Sequence, residues 1–132
     1  MLIVRGDAQT LPSELNKSAS GEVWFDPIMP KTDGVDVGTA VFSPNGRTVW
    51  HQHEGGQLLK ITSGYGFVCK EGEAPQRALA GDTVWIAPTE RQWNGATSST
   101  LMSPTTTTIG GTEFHEAVTE AEFAAANATP RG

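Results

Sequence analysis

"VWHQHEGGQ", residues 49–57, decides how this chain is read. On a β-strand residues i and i+2 point to one face, so His51 and His53 project together while Trp50 and Gln52 face away. Two imidazoles placed this way can share one ion. The following Glu54-Gly55-Gly56 lets the chain reverse and carry Gln57 onto the next strand beside the pair. Glu54 is next to His53 and has the wrong parity to share its face, so it is not expected to be a ligand. An isolated HxH also fits a plain polar strand face, and only its surroundings can decide between the two.

Those surroundings are strand-like. "GEVWFDPI" (21–28) reads as a strand ended by Pro27, and "GTAVFSPNGRTVWHQH" (38–53) as two strands about the turn at Pro44, Asn45 and Gly46. "QLLKITSGYGFVCKEG" (57–72) gives two more, broken at Gly64. After these come "QRALAGDTVWIAP" (76–88), "QWNGATSS" (92–99) and the threonine-rich "LMSPTTTTIGG" (101–111), whose β-branched residues favour extended backbone. Turn signals recur about every ten residues, the spacing of a β-sandwich or barrel. Leu2, Ile3 and Val4 can add a short edge strand within an irregular arm over 1–20. At the other end Thr119, with Glu122 three residues on, is a capping-box signature; alanines follow and Pro130 stops the run, which predicts one helix over 119–128.

Composition bounds the function. With 132 residues the chain is expected to form a single domain, and its 15 glycines and 8 prolines favour many short elements over a helix bundle. A formal net charge of -6 offers no basic patch for a phosphate backbone, so no nucleic-acid partner is expected. Cys69 is the only cysteine; it rules out an internal disulfide and is read as a small packing residue. No stretch approaches the roughly 18 apolar residues of a membrane span, and the first residues are unlike a signal peptide, so the expectation is a cytoplasmic protein with no membrane partner.

The residues resemble the cupin family, whose first motif is a glycine, HxH, an acid or glutamine a few residues on, and a further glycine. Gly46, His51, His53, Gln57 and Gly64 match it, with one residue fewer after the first glycine than is usual. The second motif is matched in frame by Gly81 and Pro88, but Gln92 stands where that motif has histidine. The likeness runs over roughly 38–118. It is greatest to small cupins of the manganese-dependent hydroxynitrile lyase and carboxymuconolactone decarboxylase-associated type, through "GRTVWHQH", "GQLLKITSGYG", "GDTVWIAPTERQWNGA" and "EAVTEAEF".

The resemblance implies an all-β jelly-roll barrel with one short C-terminal helix, assembled as a homodimer or homotetramer. It also implies one divalent ion per chain, Mn, Fe, Ni or Zn, held by His51, His53, Gln57 and Gln92. Four neutral donors leave the ion strongly Lewis-acidic and loosely retained. By alternation Gly38, Ala40 and Phe42 share a face, which the resemblance places inward; Thr106 and Thr108 are expected to point in together, and Asn94 to join Gln92; Asn94, Thr106 and Thr108 are the candidates for orienting a substrate. In the lyases histidines stand at the places of Asn94 and Pro104. Neither replacement is a good proton acceptor. Trp24, Trp50, Trp85, Trp93 and Tyr65 are read as packing residues, Arg47 and Glu90 as surface charges, and His115 as a surface histidine.

Two functions stay open. One is a metal-assisted lyase, isomerase, cyclase or decarboxylase acting on a small molecule, with dioxygenase chemistry a less favoured variant. The other is a metal-free barrel that binds a ligand, or turns it over, by shape and hydrogen bonding alone. Threonine, alanine and asparagine in the lining point to a neutral or weakly polar ligand.

Overall fold

The computed structural model describes residues 1–6, 14–16 and 19–130. Its strands are β1 (Glu14–Leu15), β2 (Val23–Thr32), β3 (Val35–Phe42), β4 (His51–His53), β5 (Gln57–Lys70), β6 (Gln76–Leu79), β7 (Thr83–Ile86), β8 (Gln92–Ala96), β9 (Met102–Ile109) and β10 (Thr112–Phe114); α1 spans Glu120–Asn127. They form one curled antiparallel sheet in the order β1-β2-β3-β9-β5-β8-β4-β10, with β6 and β7 also paired to β5. Leu2, Ile3 and Val4 form no strand and are exposed; the edge strand is Glu14–Leu15, and the rest of the predicted arm up to residue 20 lies partly outside the described residues.

The central strand differs most from the sequence reading. Residues 57–70 form one strand of 14 residues instead of two. Its first half pairs with β7 and β9, its second with β6 and β8. Gly64 turns the corner between them at φ +70°, where a Cβ would lie 1.9 Å from the Leu101 carbonyl oxygen. A glycine read as a break is therefore the bend that curls a continuous strand from one wall to the other. Conversely, the predicted strand over 76–88 is split into β6 and β7 at Gly81, where φ is +97°. The second strand predicted after the "SPNG" turn shrinks to His51–His53, because Arg47 pairs only through isolated bridges to Ser20 and Gly95.

Two clusters hold the sheet. Val23, Phe42, Leu59, Ile61, Ile86 and Met102 fill the interior. Phe67, Cys69, Trp93, Val118, Phe123 and Ala126 join the outer face of the β5–β8 wall to α1, with Trp50 packed against them. Alternation on β8 explains the division: Trp93 points out to the helix while Gln92 and Asn94 point in. The capping box forms as the sequence predicts, with Thr119 Oγ1 accepting from Glu122 N at 3.1 Å and Glu122 Oε1 accepting from Thr119 N at 2.9 Å. Arg47 is not the surface charge expected. It is buried, lies 4.2 Å from the Phe123 ring centroid and donates to Glu120 Oε1 at 2.8 Å, fastening the helix to the barrel.

Candidate functional site

β4 turns His51 and His53 into the barrel, each 4% exposed, and turns Gln52 outward to His115 Nε2 at 3.1 Å. The two rings meet edge-on, with centroids 4.9 Å apart. His51 Nδ1 lies 2.7 Å from the Val49 carbonyl oxygen. A carbonyl only accepts, so Nδ1 carries the hydrogen and the Nε2 lone pair faces inward. Gln92 Nε2 donates to that lone pair at 2.8 Å, and Asn94 Nδ2 donates to Gln92 Oε1 at 3.1 Å. Hydrogen bonds thus run in one direction from Asn94 through Gln92 and His51 to Val49.

His53 is held differently. Its Nδ1 lies 2.9 Å from Thr112 Oγ1, while its Nε2 is buried and has no hydrogen-bond partner among the described residues. Gln57 sits beside it and donates its amide nitrogen to Thr108 Oγ1 at 2.8 Å. Burial lowers the pKa of His51, with a further push from His115, against the bond to Val49. Burial and then the neighbouring His51 lower that of His53 to about 4, against a contact with Gln57. Both rings are neutral at pH 7, the form in which imidazole can ligate a metal.

A cavity of about 510 Å³ opens beside them, within the size range of small-molecule sites. His51, His53, Gln57, Asn94, Thr106 and Thr108 line its polar end; Val23, Phe25, Phe42 and Leu59 form an apolar wall; Lys31, Asp36 and Phe114 also border it. Gln92 does not. It lies behind His51 and borders a second depression of about 410 Å³ shared with Ile86 and Glu90. Of the sequence-predicted site residues, six therefore share one cavity wall, and Gln92 reaches it only through His51 and Asn94.

Thr112 and Asp36 were missed by the sequence reading. Thr112 is the register partner of His53. Asp36 has the same parity on β3 as Gly38 and Ala40, so extending that alternation by one pair finds it.

The donor set fits a divalent metal. Each ring has its Nδ1 satisfied, which fixes an orientation that leaves Nε2 as the nitrogen to meet an ion, and the His53 Nε2 is buried with no hydrogen-bond partner among the described residues. Among the described residues no cluster of three or more His, Cys, Asp or Glu could hold one, so the side-chain donors beside the two imidazoles are amides. Glu90, read from the sequence as a surface charge, pairs with Lys70 at 3.1 Å. Among the described residues no helix is long and apolar enough to cross a membrane.

A curled sheet with paired inward histidines beside an interior cavity is the arrangement of the cupins, and this chain has the cupin fold. It is 40% identical over 86 residues to an (R)-mandelonitrile lyase of Granulicella tundricola, an alignment that covers 64% of this chain and 66% of that enzyme, just under two thirds of its length. A cupin-like protein of Thermotoga maritima superposes with a TM-score of 0.84 at 27% identity, over 96% of this chain and all of the other. A polyketide cyclase of Streptomyces resistomycificus shares the fold at a TM-score of 0.72 and 14% identity, over 93% of this chain and 91% of that one. No protein-family model matches the chain.

Proposed function

We propose that the chain is a metal-assisted small-molecule lyase acting on an α-hydroxy compound with an apolar, ring-bearing substituent. The observation that carries this reading is the buried Nε2 of His53, without a hydrogen-bond partner among the described residues and set beside His51 in a cavity that Phe25 and Phe42 also line. The mandelonitrile lyase among its relatives supports the reaction class, since mandelonitrile joins a phenyl ring to a hydroxyl-bearing carbon.

His51, His53 and Gln57 are the residues to hold the ion, with Gln92 as a fourth when its amide turns from His51. Mn, Fe, Ni and Zn all suit such a set, and a bound ion supplies Lewis acidity toward a substrate oxygen. Around it the protein positions the substrate. Thr108 Oγ1 accepts from Gln57, so its own hydrogen remains available to donate into the cavity. Asn94 and Thr106, both buried, offer further polar contacts, and the phenylalanines take the ring.

The test is release of benzaldehyde from each enantiomer of mandelonitrile after incubation with each of the four ions. Turnover by the loaded wild type, lost in His53→Ala, supports the proposal; no release from either enantiomer with any ion removes the lyase reading.

The chain from Asn94 through Gln92 to His51 favours a second reading, because it closes without an ion. A metal-free barrel then binds its ligand by shape. Ligand binding that survives chelation unchanged decides for it.

The outer face of the β2–β3–β9–β5–β7 wall supports a proposal of self-association. Trp24, Val41, Leu58 and Trp85 are all exposed there, while α1 packs on the opposite wall. A second copy of the chain is the proposed occupant of this face, giving a homodimer or homotetramer.

A further inference from the structure

A lyase that breaks a bond beside a hydroxyl must take up the hydroxyl proton, and the residues placed around the histidines are poor acceptors. Threonine and asparagine side chains are not bases at neutral pH, and the two imidazoles are committed to the ion when it is bound. The cavity nevertheless has an acceptor. Asp36 on β3 is the register partner of Thr108 on β9, which is in turn the register partner of Gln57 on β5. Three consecutive strands therefore place a carboxylate, a hydroxyl and a candidate metal donor on one rung, and all three line the same cavity.

Asp36 is the only carboxylate on that wall among the described residues. It is partly buried, and its carboxylate takes part in no hydrogen bond or ion pair with the side chain or backbone of any described residue. The nearby cation is used elsewhere: Lys31 Nζ donates to the Gly110 carbonyl oxygen at 3.1 Å. A carboxylate facing a cavity with no partner among the described residues is free to accept from whatever the cavity holds.

We infer that Asp36 is the proton acceptor of this site, receiving the hydroxyl hydrogen of a substrate held at the histidine end. The inference rests on the lyase reading above. With a cyanohydrin the carboxylate takes the O–H proton, and the O–H electron pair becomes the second bond of the carbonyl. The bond from the carbinol carbon to the nitrile carbon breaks, and its electron pair leaves with cyanide. The carboxylic acid then gives the proton to cyanide, so that hydrogen cyanide departs and Asp36 is restored as a carboxylate.

The closing experiment uses two probes with the same heavy atoms: 1-phenylethanol, which has a hydroxyl hydrogen, and acetophenone, which has none. Each is titrated by ligand-detected NMR into the full chain, with and without one equivalent of Mn(II), for wild type, Asp36→Asn and Asp36→Glu. The expected result is a loss of tenfold or more in 1-phenylethanol affinity for Asp36→Asn, acetophenone changing less than twofold, and substantial recovery of the alcohol in Asp36→Glu. A structural role would weaken both probes alike and lower the melting temperature, which overturns the inference. Equal affinities in wild type and Asp36→Asn overturn it as well. If wild type binds neither probe, the cavity does not take such compounds and the lyase reading falls together with this one. In turnover, Asp36→Asn is expected to lower kcat by about 100-fold or more, with KM changed far less.

Discussion

Gln92 gives its amide nitrogen to His51, Nε2 to Nε2 at 2.8 Å, and takes Asn94 on its oxygen. Both its polar ends are used inside the protein, so a metal shared by the two histidines competes with an existing hydrogen bond.

Gln92→His is therefore expected to tighten metal retention by tenfold or more, because imidazole is the stronger donor and the competing bond disappears. Competition with a chromophoric chelator measures it. Gln92→Leu should instead leave His51 Nε2 and Asn94 Nδ2 unpaired and cost about 1–3 kcal/mol for each group left unsatisfied, read from urea unfolding.

Acid should destabilise the metal-free protein. His51 and His53 have pKa values lowered by burial, that of His53 to about 4. Unfolded histidines bind protons near pH 6.5 and the folded ones do not, so stability is fully present above about pH 6.5 and is lost as pH falls toward 4. Urea unfolding at pH 7.5, 5.5 and 4.5 checks the slope. His53→Gln should flatten it.

Cys69 should resist thiol reagents. Burial, with the charge of Glu122 adding to it, pushes its pKa up to about 12, so the thiolate is scarce at pH 8. A chromogenic disulfide reagent is expected to label the native chain slowly and the urea-unfolded chain at one thiol, the count in the sequence.

The helix fastening can be divided between its parts. Glu120 is 92% exposed where it meets Arg47, so Glu120→Gln should cost less than about 1 kcal/mol. Arg47→Ala also removes the side chain packed over Phe123 and should cost about 2–4 kcal/mol. Thr119→Ala breaks the capping box at about 1 kcal/mol. Thermal melts of the three variants give the order.

Trp85→Glu on the uncovered wall is expected to turn an oligomer into a monomer, with the cavity and its ligands unaffected. Sedimentation velocity reads the change.

Much of the fold was legible because strand alternation fixes faces: His51, His53, Asn94, Thr106 and Thr108 point inward as parity requires. The helix was legible from Thr119 and Glu122, since capping is a local interaction. Other features depend on contacts distant in sequence. Gly64 could be seen as a breaker but not as a corner, because Leu101 across the sheet decides that. Arg47 could not be seen as buried, since its partners Glu120 and Phe123 are more than seventy residues away. Asp36 lies at the start of β3, ahead of the "GTAVF" stretch whose small and apolar residues mark the inward face, and as a charged residue it does not announce that face itself.

The most direct measurement is elemental analysis of the chain after incubation with Mn(II), Fe(II), Ni(II) or Zn(II) and desalting, beside His51→Ala and His53→Ala. Close to one ion per chain for at least one of the metals, absent from both variants, is the predicted result. No ion retained by wild type, together with turnover or ligand binding that chelation leaves unchanged, would contradict a metal-assisted site and make this barrel one that works by shape and hydrogen bonds alone.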